Sequence, residues 1–135
     1  MTNDKLSQAY LKKARVRIKA LEFMHQEEGY SDVVREAQEC VELLLKGLLR
    51  KCGIEHPKTH DVSRTLNDHL KNLPQNIQAN IGEICQISRQ LRKDRELAFY
   101  GTEDWIPTEE YHAEDSLLAI EMTKKIFAWV EPNLL

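Results

Sequence analysis

The chain has 135 residues, 41% hydrophobic and 30% charged, a length and balance that suit one folded domain over residues 1–135 and are too small for two ordinary cores. Its 19 Lys and Arg against 22 Asp and Glu give a formal charge of -3. That balance argues against sequence-independent coating of DNA, which draws on many basic phosphate contacts, but leaves room for a local basic site.

No run approaches the ~18 apolar residues of a membrane span, and no apolar signal-peptide core follows Met1, so the expected setting is the cytoplasm with no membrane partner. Three cysteines, Cys40, Cys52 and Cys85, form an odd set without metal spacing. Cys40 and Cys52 share one helical pattern and would lie about 18 Å apart along it, out of disulfide reach. They read as reduced, small hydrophobes.

Residues 4–27 place Leu6, Ala9, Tyr10, Ala14, Ile18, Leu21 and Phe23 or Met24 at three-and-four spacing, the mark of an amphipathic helix. Lys12, Lys13, Arg15, Arg17 and Lys19 form its solvated face, and Gly29 supplies a stop. Residues 31–52 make a second helix with Ser31 as expected N-cap and Gly53 as its end. Its broad stripe of Val34, Ala37, Val41, Leu44, Leu45, Leu48 and Leu49 suits a central position or a shared dimer face. Glu42 and Lys46 are an i,i+4 pair in the favourable direction.

Pro57 breaks the following connection, and Thr59 or Asp61 is placed to cap a short helix of about ten residues carrying Val62, Leu66 and Leu70. Leu73-Pro74 closes it. The spacing then predicts a long helix over residues 75–100, weakened at Gly82, with Ile77, Ile81, Ile84, Cys85, Ile87, Leu91 and Leu97 on its inner face. Gly101 stops it. A loop containing Pro107 leads to a last helix over residues 108–130, which buries Tyr111, Ala113, Leu117, Leu118, Ile120, Ile126 and Val130 and is limited by Pro132. The expected fold is all-α, an antiparallel four-helix bundle with a short additional helix.

His56 and His60 have a spacing that suits two metal ligands only on one helix, and Pro57 lies between them. Neither a metal nor a cofactor is expected. The more informative group is Arg92, Arg95 and Tyr100. The two arginines fall on neighbouring turns of one helix face, where guanidinium groups can grip a phosphate bidentately, and a phenolic hydroxyl can hydrogen-bond it. The plainer reading pairs Arg92 with Glu96 or Glu42 and leaves Tyr100 to close the interior.

The stretch from Tyr30 to Leu49, the Thr59-His60-Asp61-Val62 turn, the run from Arg95 to Gly101 and the stretch from Tyr111 to Ile120 together resemble the HEPN domain family. The resemblance spans about residues 5–130. It implies a helical bundle, a homodimer built through long helices, and association with a minimal nucleotidyltransferase in toxin-antitoxin pairs. Ribonuclease members of the family share an Arg, four to six intervening residues and a His, placed around a cleft between two subunits.

Here the Arg corresponds to Arg95, but after four intervening residues stands Tyr100, and the next His is His112. His takes up a proton near neutral pH, whereas Tyr, with a reference value near 10, is a poor base. The expected function is therefore a dimeric, non-catalytic binder of a nucleotide, RNA or a nucleotidyltransferase. Its expected ligand-binding residues are Arg92, Arg95, Tyr100, His60 and Asp61. The alternative is a metal-independent endoribonuclease with an atypical site of Arg95 and Tyr100, and the plainest option is a structural dimer that positions another protein.

Overall fold

The computed structural model describes the backbone of residues 2–56, 61–100 and 110–135, and their side chains apart from those of residues 2–4 and 94–100. Its helices are α1 (Thr2–Gln26), α2 (Tyr30–Lys51), α3 (Val62–Asp68), α4 (Gln75–Ala79), α5 (Ile81–Tyr100) and α6 (Ala113–Leu134), with a 3₁₀ turn at Leu70–Asn72 between α3 and α4.

Helix α2 is the centre of the domain. Val34, Ala37, Val41, Leu44, Leu45, Leu48 and Leu49, the stripe expected from spacing, are all buried, and Val33 and Cys40 join them. A stripe this wide can face several neighbours, and α2 packs on α1, α5 and α6. Each fully buried Leu contributes about 1.5–3 kcal/mol relative to an exposed one. Gly47 marks the closest approach, since a Cβ there would stand 3.1 Å from the Cβ of Tyr10 on α1. Ser7 donates a hydrogen bond from its hydroxyl to the Gly47 carbonyl at 3.2 Å, which satisfies a buried polar side chain at the same crossing.

The four-helix bundle is met only in part. Three helices, α1, α2 and α6, pack closely on one another, while α5 lies along α2, carries α3, and barely meets α6. The reason is the width of its apolar stripe. Of its described side chains only Ile84, Cys85, Ile87, Ser88 and Leu91 are buried, enough to cover one neighbour and the short α3 but not to close a fourth side. The helix expected over 75–100 is also broken at Asn80, whose side-chain amide donates to the Asn76 carbonyl at 2.7 Å. Its backbone, at φ -118° and ψ 16°, ends α4, and its carbonyl accepts from Ile84 N–H to begin α5. Asn competes for backbone partners in this way and favours helix ends.

Several ends differ from expectation. Ser31 lies inside α2, buried, and Gly29 occupies the N-cap. Helix α1 closes through Glu28, which takes the left-handed conformation at φ 63°, with Glu28 N–H bonded to the His25 carbonyl and Gly29 N–H to the Met24 carbonyl. Gly53, at φ 73°, closes α2 by the same pattern. The expected ten-residue helix resolves into α3 and the 3₁₀ turn.

The last helix begins at Ala113, where the Asp115 carboxylate accepts from the His112 N–H at 2.8 Å, and it runs through Pro132 to Leu134. Only the last turn follows the proline, so little is lost there. The expected start at Thr108 and the stops at Pro57 and Gly101 lie outside the described residues.

The inner face of α1 is shifted from the one expected. Ser7, Leu11, Ala14 and Leu21 are buried with Ile18 half-buried beside them, whereas Leu6, Ala9 and Phe23 are exposed. The expected stripe merged two stripes on opposite sides of one helix. Leu117 and Leu118 of α6 are exposed as well; Ala119, Ile120, Ile126 and Val130 face the core.

Candidate functional site

Asp61 starts α3 in extended backbone, and its Oδ1 accepts from the Ser63 N–H at 2.9 Å. Of the two capping candidates, Asp61 performs the capping; Thr59 lies outside the described residues. Helix α3 is fastened to α5 through Cys85. The Cys85 thiol donates to the Ser63 carbonyl at 3.8 Å and receives the Asn67 side-chain amide at 3.5 Å. This fixes the start of α3 beside the middle of α5.

The Arg92 guanidinium reaches that same Asp61 Oδ1 at 3.7 Å. Arg92 pairs with neither of the partners considered from sequence, for Glu42 is taken by Lys46 at 3.7 Å and the Glu96 side chain is outside the described residues. At 3.7 Å the Arg92 contact is an ion pair without a well-formed hydrogen bond, and both side chains are open to water, at 47% and 32% exposure. Such a pair is worth no more than about 1 kcal/mol. The guanidinium therefore keeps most of its five donors for another anion.

Arg89, one turn before Arg92 and exposed, belongs to the same place. Burial raises the pKa of the Cys85 thiol, the Arg89 charge and the Asn67 hydrogen bond oppose that, and the Asp61 carboxylate adds to it. Arg89 and Asp61 thus act on one buried atom from the two sides of the α3–α5 contact. Sequence reading passed over Arg89 because only the docking of α3 sets it apart from the other charges on α5. The Cys85 thiol, buried and held protonated, is no nucleophile.

Arg95 and Tyr100 lie on the described backbone of α5, about 4.5 Å and 12 Å beyond Arg92 along the axis, and their side chains are outside the described residues. His60 is outside them too. Of the five expected ligand-binding residues, then, the structure brings Arg92 and Asp61 together. His56 is not paired for metal binding, for its Nδ1 meets the Thr65 hydroxyl at 2.8 Å. Among the described residues no cluster of three His, Cys, Asp or Glu is placed to hold a metal ion.

Three close helices, a shorter helix capped by Asp61 and a basic stretch on α5 define a small all-α domain with an arginine-bearing helix beside its α3 cap. The family model described as the HEPN domain matches residues 7–133. The chain belongs to the HEPN domain family. Its fold is similar to that of TT1696 from Thermus thermophilus, with a TM-score of 0.77 and 21% identity over 94% of this chain and 97% of that one. It is also similar to ST0689, an archaeal HEPN homologue, with a TM-score of 0.70 and 24% identity over 96% and 98%. No curated protein gives a significant match. Among the described residues no helix is long and apolar enough to cross a membrane.

Proposed function

We propose that the chain is an RNA-directed HEPN domain that works as a homodimer and cleaves RNA without a metal, slowly, through Arg95 and Tyr100 with Arg92 holding the phosphate chain. The observation that carries this reading is the loose 3.7 Å tether of Arg92 to Asp61, which leaves a charged, planar donor group available on the helix that also bears Arg95. Exchanging an exposed carboxylate partner for a phosphate costs Arg92 little.

In the reaction the ribose 2′-oxygen attacks phosphorus, the bond from phosphorus to the 5′-oxygen breaks, and the 2′ proton passes to a base while the departing oxygen gains one. The products are a 2′,3′-cyclic phosphate and a 5′-hydroxyl. Arg95 offsets the charge that grows on the phosphate oxygens, and Tyr100 hydrogen-bonds and orients them. Without a His four to six residues after Arg95, the proton acceptor is weak, and the rate should climb with pH over the neutral range.

The test is cleavage of varied RNAs, tRNA included, with chelator present. Activity should persist in chelator and fall on Arg95→Ala; complete absence of cleavage, with RNA still bound, would replace this reading by the second one. That second reading is a non-catalytic binder of RNA, a nucleotide or a minimal nucleotidyltransferase, favoured by Tyr100 standing where ribonuclease members carry His. Co-purification of a small nucleotidyltransferase with the tagged chain would support it. In that case Arg92→Ala and Arg95→Ala should weaken the complex while helicity stays unchanged.

A further inference from the structure

Helix α1 has two apolar stripes, and only one is used by the fold. Leu11, Ala14 and Leu21 are buried, while Val16 at 62% and Phe23 at 63% exposure stand on the opposite side, in line with the exposed Ala9 and Ala20. The spacing 9, 16, 20, 23 is that of a helix seam, and its two alanines permit close approach of another helix. Isolated exposed apolar residues need no explanation, but an aligned set on a helix whose core face is already satisfied does.

The charges beside this stripe are of one sign. Lys12 and Lys19 are exposed next to Val16 and Phe23, whereas the ion pairs that bind α1 to its neighbours use Arg15 with Glu131, Arg17 with Glu36, and Glu22 with Lys124. Helix α6 lies antiparallel beside α1, as the Arg15–Glu131 pair at one end and the His25–Ser116 hydrogen bond of 2.8 Å at the other require. Its outward face carries Leu117 and Leu118, at 53% and 45% exposure, between the exposed acids Glu114 and Glu121. One helix of the pair thus presents apolar groups flanked by lysine, and the other presents apolar groups flanked by glutamate.

We infer that this α1–α6 face receives a second copy of the chain, with α1 of each copy lying on α6 of the other. A two-fold axis parallel to the helices makes both contacts at once and keeps each crossing antiparallel. Because such an axis preserves height along the helices, the register within one copy carries over to the contact between copies. The Arg15–Glu131 and Glu22–Lys124 pairs set that register, and within about one helical turn of it Lys19 comes level with Glu121 and Phe23 with Leu117 of the other copy. Pairing α1 with α1 instead would oppose lysine to lysine. Two helices of about 33 Å and a combined width of about 20 Å offer on the order of 600 Å² per copy, near the ~800 Å² of a standard interface. This inference rests on the dimer in the proposed function and not on RNA chemistry, and it is tested without RNA.

The test is sedimentation of the full chain at low salt, alone and as charge variants. The wild type should sediment as a dimer, and Lys19→Glu and Glu121→Lys should each weaken it by about tenfold, since either change opposes like charges twice in the symmetric pair. Mixing the two variants should restore a dimer, because each then supplies the sign the other has lost. Phe23→Ser should weaken the dimer with helical circular dichroism unchanged. A monomeric wild type, a dimer indifferent to all of these changes, or variants that fail to recover on mixing would overturn the inference. Loss of RNA cleavage with the dimer intact would bear only on the proposed reaction.

Discussion

Two glycines inside helices should respond in opposite directions to the same added methyl group. At Gly47 the new Cβ would meet the Tyr10 Cβ at 3.1 Å, the Tyr10 Cδ2 at 3.3 Å and the Leu134 Cδ1 at 3.5 Å. The Tyr10 Cβ is one bond from the backbone of α1 and cannot swing away, so α1 must move by a few tenths of an ångström. Overpacking of this kind costs about 1–3 kcal/mol, and the better helix propensity of Ala returns about 1. The shift also stretches the Ser7–Gly47 hydrogen bond, already 3.2 Å, worth about 1 kcal/mol.

The net expectation for Gly47→Ala is a loss of about 1–2 kcal/mol. At Gly82 nothing lies within 4 Å of the added carbon, and Gly82→Ala should gain about 0.5–1 kcal/mol. Urea unfolding followed by helical circular dichroism, with a slope of about 1.5 kcal/mol per molar, should separate the two midpoints by about 1–2 M. A Gly47→Ala midpoint at or above that of the wild type would refute the claim that α1 and α2 touch at this point.

Asp61→Ala removes both the α3 cap and the Arg92 partner and should cost about 1–2 kcal/mol by the same assay, whereas Asp61→Asn, which keeps an acceptor for Ser63 N–H, should cost less. Arg92→Ala should cost no more than about 1 kcal/mol while lowering affinity for RNA or inorganic phosphate; a larger loss of stability would make Arg92 a structural residue. Cys40, buried beneath α1, has its thiol pKa pushed up to about 12, first by burial, with Arg17 lowering it and Glu36 raising it. A folded-state value above the unfolded one means that this stabilisation is complete below about pH 9 and is lost as pH rises towards 12. Mass spectrometry after brief alkylation near pH 8 should find Cys52, the half-buried thiol, modified before Cys40 and Cys85; early labelling of Cys40 would contradict the packing of α1 on α2. Leu45→Ala, in the fully buried middle of α2, should cost about 2–5 kcal/mol.

The helical class and the central place of α2 could be read from the chain, because seven apolar residues at helical spacing on a 22-residue helix leave one arrangement that hides them all. The side of α1 that faces inward could not. Its two stripes are alike in residue type, and what decides between them is the fit of Ser7 and Tyr10 against Gly47, a contact between residues about 40 apart. The break at Asn80 was hidden for a related reason: Ile77, Ile81 and Ile84 keep helical spacing across it, and only the side-chain bond to Asn76 ends the first helix.

At the site, Arg92 and Asp61 could be nominated from their chemistry. Their meeting depends on α3 being fastened through Cys85, which no local pattern signals. The same docking separates Arg89 from the remaining charges of α5. The match to the HEPN family over residues 7–133 agrees with the resemblance found in the motifs. Beyond the four residues that follow Arg95 stands Tyr100 rather than His, and the slow chemistry proposed for this chain follows from that residue alone.

The most direct measurement is analysis of the RNA ends left after incubation with purified protein in chelator, across about pH 6 to 9, a range chosen to bracket neutral proton transfer. The mechanism expects 2′,3′-cyclic phosphate and 5′-hydroxyl ends that accumulate faster as pH rises and vanish with Arg95→Ala. Ends bearing a 5′-phosphate, or cleavage that stops when divalent ions are removed, would contradict it.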